Sequence, residues 1–181
     1  MNEKDLVSGC QHGDNVCRRH LYDSYAQQMM GICYRYTGDI QTSEDLLHDG
    51  FIKIFEVVRS FQYRGEGSLR AWMSRIFTNL SLEYLRKHCL RDAFSLEKYS
   101  EEPLVDAEQD LDRIPSAVLM QFVAELPTGY RTVFNLNTFE EMPHKEIAQQ
   151  LHINESSSRS QLARAKAILF EKVKNYIRQH E

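Results

Sequence analysis

The stretch from Met142 to Phe170 constrains this chain more than any other. In Met142-Pro-His-Lys-Glu-Ile-Ala-Gln-Gln-Leu, the residues Ile147, Ala148 and Leu151 share one helical face. His152-Ile153-Asn154 then reads as a tight turn that buries Ile153. A second helix follows from Glu155, with Leu162, Ala165 and Leu169 inward and Ser157, Arg159, Ser160, Gln161 and Arg164 left to face out. The small side chain of Ala148 lets two helices cross closely. A second helix with short polar and cationic side chains is what can enter a DNA major groove and reach base edges and phosphates.

The rest of the chain agrees with a helical fold. It has 181 residues, room for one ordinary domain or two small ones, and 42% hydrophobic content, enough for packed cores. With 4 Pro, 8 Gly and sparse Val/Ile/Thr runs, an all-α protein is expected. No apolar run approaches the roughly 18 residues that would span a bilayer, so no membrane insertion is expected. The polar start Met-Asn-Glu-Lys-Asp predicts a cytoplasmic protein.

The periodicity predicts helices over 3–12, 15–37, 43–59, 68–88, 116–126, 128–139, 142–151 and 155–178. Asp14 can cap the second and Gly38 end it, Thr42-x-x-Asp45 offers a capping box for the third, and Ser68 a cap for the fourth. Leu47, Phe51, Ile54, Phe55 and Val58 make a one-sided stripe; Leu69, Met73, Ile76 and Leu80 make another, widened by Trp72. Periodicity then fails. Residues 92–113 carry eight acids and two bases, with Pro103 among them. The expected organisation is two small helical domains, 1–91 and 115–181, joined by a flexible acidic linker over 92–114.

The formal net charge of −4 conceals this patterning. Residues 59–91 hold seven bases against two acids, and residues 128–181 eight bases against six acids. Two basic modules therefore flank an acidic strap, and local patches set the field that a ligand meets. Cys10, Cys17, Cys33 and Cys89 are expected to be reduced thiols. Cys10-x-His12 with Cys17-x-x-His20 could supply four zinc ligands, but Gly13-Asp14 reads as a helix break. Small thiols packed at a helix junction are the preferred reading, with no metal.

Two constellations lie upstream. Asp45, Asp49 and Glu56 recur at offsets 0, 4 and 11, with His48 and Lys53 nearby, opposite the apolar stripe of their helix. Such an acidic face can dock a basic or amide-rich partner; a solvated helix face is the plainer alternative. In Phe61-Gln-Tyr-Arg-Gly-Glu-Gly-Ser-Leu-Arg-Ala-Trp72, aromatics interleave with arginine and glycine, and Arg75, Asn79 and Arg86 form a stripe on the helix that follows. Stacking planes, guanidinium groups and an amide suit unpaired bases, and glycine permits close backbone approach.

The runs 43–55 and 61–80, Leu126-Pro-Thr-Gly-Tyr-Arg-Thr-Val-Phe and Lys145-Glu-Ile-Ala occur in this order. Together they resemble a bacterial RNA polymerase sigma factor of the sigma-70 family, extracytoplasmic-function (ECF) group, over about residues 6–178. The resemblance implies a first domain that binds the clamp helices of the polymerase and melts the promoter −10 element. It implies a second domain that reads the −35 element. Asp45, His48, Asp49 and Lys53 match the core polymerase-binding helix. Tyr63, Arg64, Gly65, Glu66, Gly67, Ser68 and Arg70 match the loop that captures a flipped −10 base; Arg75 belongs to the same set, and Asn79 matches an amide lining that pocket. Ser156, Ser157, Arg159, Ser160, Gln161 and Arg164 match the −35 recognition helix. The implied partners are core RNA polymerase, promoter DNA and an anti-sigma factor.

The chain departs from the family pattern at four places. His48-Asp49 stands where Gln-Glu is usual, His152 replaces a turn glycine, Ser158 occupies a usually branched apolar position, and Gln161 stands where Arg is common. No nucleophile–base set, phosphate-binding Gly-Lys motif or strong metal motif is present, so an enzyme is not expected, nor a cofactor. Two rival roles stay open at this level: a stand-alone helix-turn-helix regulator, and a sigma-like decoy that binds an antagonist protein.

Overall fold

The computed structural model describes residues 1–90 and 114–180. Among them the regular elements are all helical, and the chain divides into two compact units, Met1–Tyr84 and Leu85–Glu181. The all-α expectation holds, with the helix-turn-helix in the second unit. The acidic linker expected at 92–114 lies, Ile114 apart, outside the described residues.

The first unit comprises α1 (Glu3–Gln11), α2 (Asn15–Thr37), α3 (Ile40–Val57), a 3-10 turn (Val58–Ser60) and, as far as Tyr84, α4 (Ser68–His88). Sequence-local caps set most boundaries. Asp14 accepts the Val16 and Cys17 amides to start α2, and Gly38, in the left-handed region at φ 70°, ends it. The start of α3 differs from the expected capping box at Thr42. The Asp39 carboxylate accepts the Thr42 amide at 2.7 Å, and the helix begins at Ile40. Gly38 has already turned the chain, so Asp39 is the first residue in position to cap, and Thr42 falls inside the first turn. The hydroxyl and the amide of Thr42 hold the Asp39 carboxyl below its ordinary pKa.

The core of this unit joins Leu21, Met29, Cys33 and Tyr36 of α2 to Leu47, Phe51 and Ile54 of α3 and Leu69 and Met73 of α4. The α4 stripe differs from expectation in its second half. Phe77 is fully buried, whereas Ile76 and Leu80 are only half-buried. Gly50 explains the difference. A Cβ on Gly50 would lie 2.1 Å from the Phe77 ring, so the missing side chain on α3 is the space that Phe77 fills. Phe77 then meets Phe51 edge-on, with centroids 5.5 Å apart. Gly9 acts similarly at the α1–α2 junction: its Cβ would fall 2.2 Å from Cys17 Sγ.

Cys10 and Cys17 are buried at this junction, while His12 and His20 are exposed. Burial pushes the Cys10 thiol up to about 11. Among the described residues, no three His, Cys, Asp or Glu side chains gather in a metal-binding group.

The second unit contains α5 (Ser116–Ala124), α6 (Thr128–Thr138), α7 (His144–Leu151) and α8 (Glu155–His180). Pro115, Pro127 and Pro143 stand immediately before α5, α6 and α7. A missing N–H costs nothing at a helix start, and the fixed φ favours the turn into it. Pro143 also moves the start of α7 from the expected 142 to His144. Leu126, Tyr130 and Ala165 form the core, with Phe134, Ile168 and Leu169 against it. Arg131 is buried, and its Nη1 donates to the Ala124 carbonyl at 2.6 Å and the Leu126 carbonyl at 3.0 Å. A cation thus satisfies carbonyls at the C-terminal end of α5, where the helix dipole favours it. Arg131→Met is expected to cost about 3 kcal/mol, because it leaves buried carbonyls without this donor. Urea denaturation measures it; a loss below about 1 kcal/mol would remove the role.

Candidate nucleic-acid interface

On α3, Asp45, His48, Asp49, Lys53 and Glu56 are all exposed, as their spacing required. The face includes a residue that charge patterning passed over. Ile52 is 59% exposed, and its spacing puts it among Asp45, Asp49 and Glu56. It falls outside the buried stripe of Leu47, Phe51, Ile54 and Val58, so its exposure was legible from register alone. An exposed branched side chain ringed by acids gives this face an apolar anchor as well as charge.

The segment before α4 brings together the second set. Arg64, Glu66, Gly67, Arg70, Arg75, Asn79 and Arg86 are exposed; Tyr63, Gly65 and Ser68 are half-buried. Phe61 packs on Trp72 with centroids 4.7 Å apart, so these two rings anchor the base of the loop. Gly65 at φ 118° and Gly67 at φ 83° take conformations that strain other residues. Tyr25 of α2 joins this region. Its pKa is raised by burial and then by the charge of Glu3, with Arg70 opposing. Tyr63 is raised in the same way, by burial, Glu3 and Glu66.

Ser68 does not cap α4. Its hydroxyl donates to the Gly65 carbonyl at 2.6 Å and accepts the Arg64 amide at 3.2 Å, closing the loop on itself. The cap comes instead from α1: Glu3 accepts the Gly67 amide at 2.7 Å and the Leu69 amide at 2.8 Å. Gly67, whose carbonyl accepts the first helical bond from Ala71, has no side chain with which to cap. Gln11, at the other end of α1, donates to the Val58 and Phe61 carbonyls. Glu3 and Gln11 were not singled out in the sequence, because nothing local connects them to a segment some fifty to sixty residues away.

In the helix-turn-helix, His152 takes the left-handed conformation at φ 56° and ends α7, its N–H reaching the Ala148 carbonyl. This is the turn-glycine position, and histidine fills it. Ile147, Ala148, Leu151, Leu162 and Ala165 are buried as expected; Ile153 is half-buried. Ser158 is fully buried, and its Oγ lies 2.9 Å from His144 Nδ1. Burial and the nearby Arg159 charge lower the His144 pKa, which favours the neutral ring.

Gln161 requires a correction. It was expected to face out, but is only 2% exposed. Ser158, Gln161, Leu162 and Ala165 fall at offsets 0, 3, 4 and 7, so angular position carries both polar residues inward. The outward face is centred on Ser156, Ser160, Ala163 and Ala167, with Arg159 and Lys166 on one flank and Arg164 on the other. Ser157 and Arg164 are half-buried, and Arg164 Nη1 lies 3.4 Å from the Tyr130 hydroxyl. Lys166 is exposed and belongs to this face, although the sequence reading passed over it. Arg159 donates to Glu155 at 2.6 Å, an exposed i,i+4 pair whose rupture costs little.

Residues 21–89 match the family model for sigma-70 region 2, and residues 116–169 match the one for sigma-70 region 4. The chain belongs to the sigma-70 family of RNA polymerase sigma factors, in its ECF group. It is 28% identical over 160 residues to the RNA polymerase sigma factor YlaC of Bacillus subtilis, covering 86% of this chain and 90% of that one. It is 25% identical over 184 residues to the ECF RNA polymerase sigma factor SigW of the same organism, covering 95% and 97%. To the RNA polymerase sigma-H factor of Pseudomonas aeruginosa it is 23% identical over 188 residues, covering 98% and 96%. The acidic α3 face and the loop before α4 lie in region 2, and the outward face of α8 lies in region 4. Glu3 and Gln11 lie outside both matched spans.

Proposed function

We propose that this sigma factor divides promoter recognition between its units, with the α3 face on core polymerase, the loop before α4 on the −10 element, and α8 on the −35 element. It directs transcription initiation and leaves the chemistry to the polymerase. The observation that carries this division is that each set keeps exposed members, Asp45 and Asp49 on α3, Arg64 and Arg70 at the loop, and Ser156 and Arg159 on α8, in an order that follows regions 2 and 4 along the chain.

Each assignment has a physical basis. Asp45, Asp49 and Glu56 supply charge for a basic polymerase surface, and Ile52 supplies apolar contact; His48 and Lys53 border them. Tyr63 gives a stacking plane and Asn79 an amide for a base edge, while Arg64, Arg70, Arg75 and Arg86 meet phosphates. Gly65, Glu66, Gly67 and Ser68 shape the backbone that an extruded base would approach. Extrusion costs a few kcal/mol of unstacking, which the pocket contacts offset. On α8, the small residues Ser156 and Ser160 let the helix backbone sit close to base edges. Arg159, Lys166 and Arg164 hold phosphates on either side, and Ser157 borders the contact. Gln161 acts from within the core and orients the helix; it does not read a base.

No helix among the described residues is long and apolar enough to cross a membrane. The proposed place of action is the cytoplasm, with the polymerase, under the control of an anti-sigma factor. Arg159→Ala is expected to weaken binding to −35 duplex DNA and to reduce the slope of log K against log salt by about 1, as one phosphate contact is lost. A salt titration of the full chain measures it, and an unchanged slope would remove Arg159 from the phosphate contacts.

A further inference from the structure

Helix α1 holds both ends of the loop proposed to capture the −10 base. Gln11 Nε2 reaches the Val58 carbonyl at 3.1 Å and the Phe61 carbonyl at 2.8 Å, where the loop leaves the 3-10 turn. At the other end, Glu3 Oε2 accepts the Gly67 amide at 2.7 Å, and Oε1 accepts the Leu69 amide at 2.8 Å. Gly67 is the capping residue of α4 and Leu69 its second helical position, so one carboxylate satisfies two amides that a glycine cap would leave open. The negative charge also sits where the helix dipole favours it. Between the two anchors, Gly65 at φ 118° leaves the backbone few intrinsic restraints beyond the Ser68 hydroxyl. Both ends of the loop are therefore held by a helix outside the matched region 2 span, in addition to the Ser68 bonds within the loop.

We propose that Glu3 is a positioning residue for promoter opening: it preorganises the loop from Tyr63 to Arg70 in the conformation that receives the extruded −10 base. The proposal rests on the assignment of that loop given above. Glu3 acts through the Gly67 and Leu69 amides and touches no DNA. Without it, the loop must be ordered during base capture, and that ordering is charged against opening.

The test uses the full chain with core polymerase. Promoter opening is read by permanganate reactivity of unpaired thymines. Templates are an intact promoter and a series with an abasic site at each non-template −10 position in turn. With the wild-type chain, one abasic position is expected to lower opening about tenfold, the value of one captured base. Glu3→Gln preserves size but keeps one acceptor, sets an NH2 donor against the other amide and removes the charge; Glu3→Ala removes both acceptors. Both variants are expected to lower opening of the intact promoter about tenfold and to shrink the abasic penalty below about twofold, because the base is no longer held. Core polymerase affinity and −35 duplex binding are expected to be unchanged, which also reports that the variants are folded. A full abasic penalty retained in both variants overturns the role of Glu3. No abasic penalty in the wild type overturns the loop assignment itself, and the role of Glu3 with it.

Discussion

Replacing Gly50 by valine is expected to destabilise the first helical unit by about 3 kcal/mol. An ideal Cβ on Gly50 would lie 2.1, 2.5 and 2.8 Å from three atoms of the Phe77 ring. That ring is fully buried and packed edge-on against Phe51, which itself packs on Tyr22 with centroids 4.6 Å apart. Interiors of this density do not absorb two further carbons by small shifts, and overpacking costs roughly 1–3 kcal/mol or more. Against this, valine regains only about 0.5 kcal/mol of helix propensity over glycine. A stability of about 5–10 kcal/mol would lose a large part of itself. Circular dichroism during thermal unfolding measures the change. The account also expects Phe77→Leu to restore part of the stability in the Gly50→Ala background, because it vacates the colliding ring. Additive losses in that pair would contradict the space-filling explanation.

The second large effect falls on binding. Asp45→Lys with Asp49→Lys is expected to weaken core polymerase binding at least about a hundredfold at moderate salt, because two attractive contacts become repulsive on a face meant for a basic partner. The fold should be untouched, since both residues are exposed on α3. Ile52→Ala on the same face is expected to weaken binding by a smaller factor that does not depend on salt, as its contact is apolar. Titration of labelled core polymerase at two salt concentrations separates the two contributions. Undiminished binding of the double variant would remove α3 from the polymerase interface.

Much of this was legible in the residues, and what was not has identifiable causes. Helix positions followed from periodicity and local punctuation: Asp14, Gly38 and the three prolines act on their immediate neighbours. The left-handed turn at His152 followed from its place in the helix-turn-helix. At Phe77 and Ser68 a partner from elsewhere in the chain decides. Phe77 lies off the apolar stripe and is buried because Gly50, on another helix, makes room. Ser68 looked like a cap until Glu3 supplied one from α1. Gln161 looked outward because it is polar, yet its angular position follows Ser158 and Leu162 into the core. Polarity was the wrong guide at 161 and charge an incomplete one at 52. In both places helical register, read strictly, gives the observed exposure.

The central claim is that one chain carries both halves of a promoter reader and works through the polymerase. The most direct measurement is run-off transcription with purified protein and sigma-free core polymerase over a library of promoter sequences. The account predicts transcripts that start at defined promoters, and that disappear when either the −10 or the −35 element is scrambled. Polymerase binding without any initiation would contradict it in favour of a decoy, and DNA binding with neither would contradict it in favour of a stand-alone regulator.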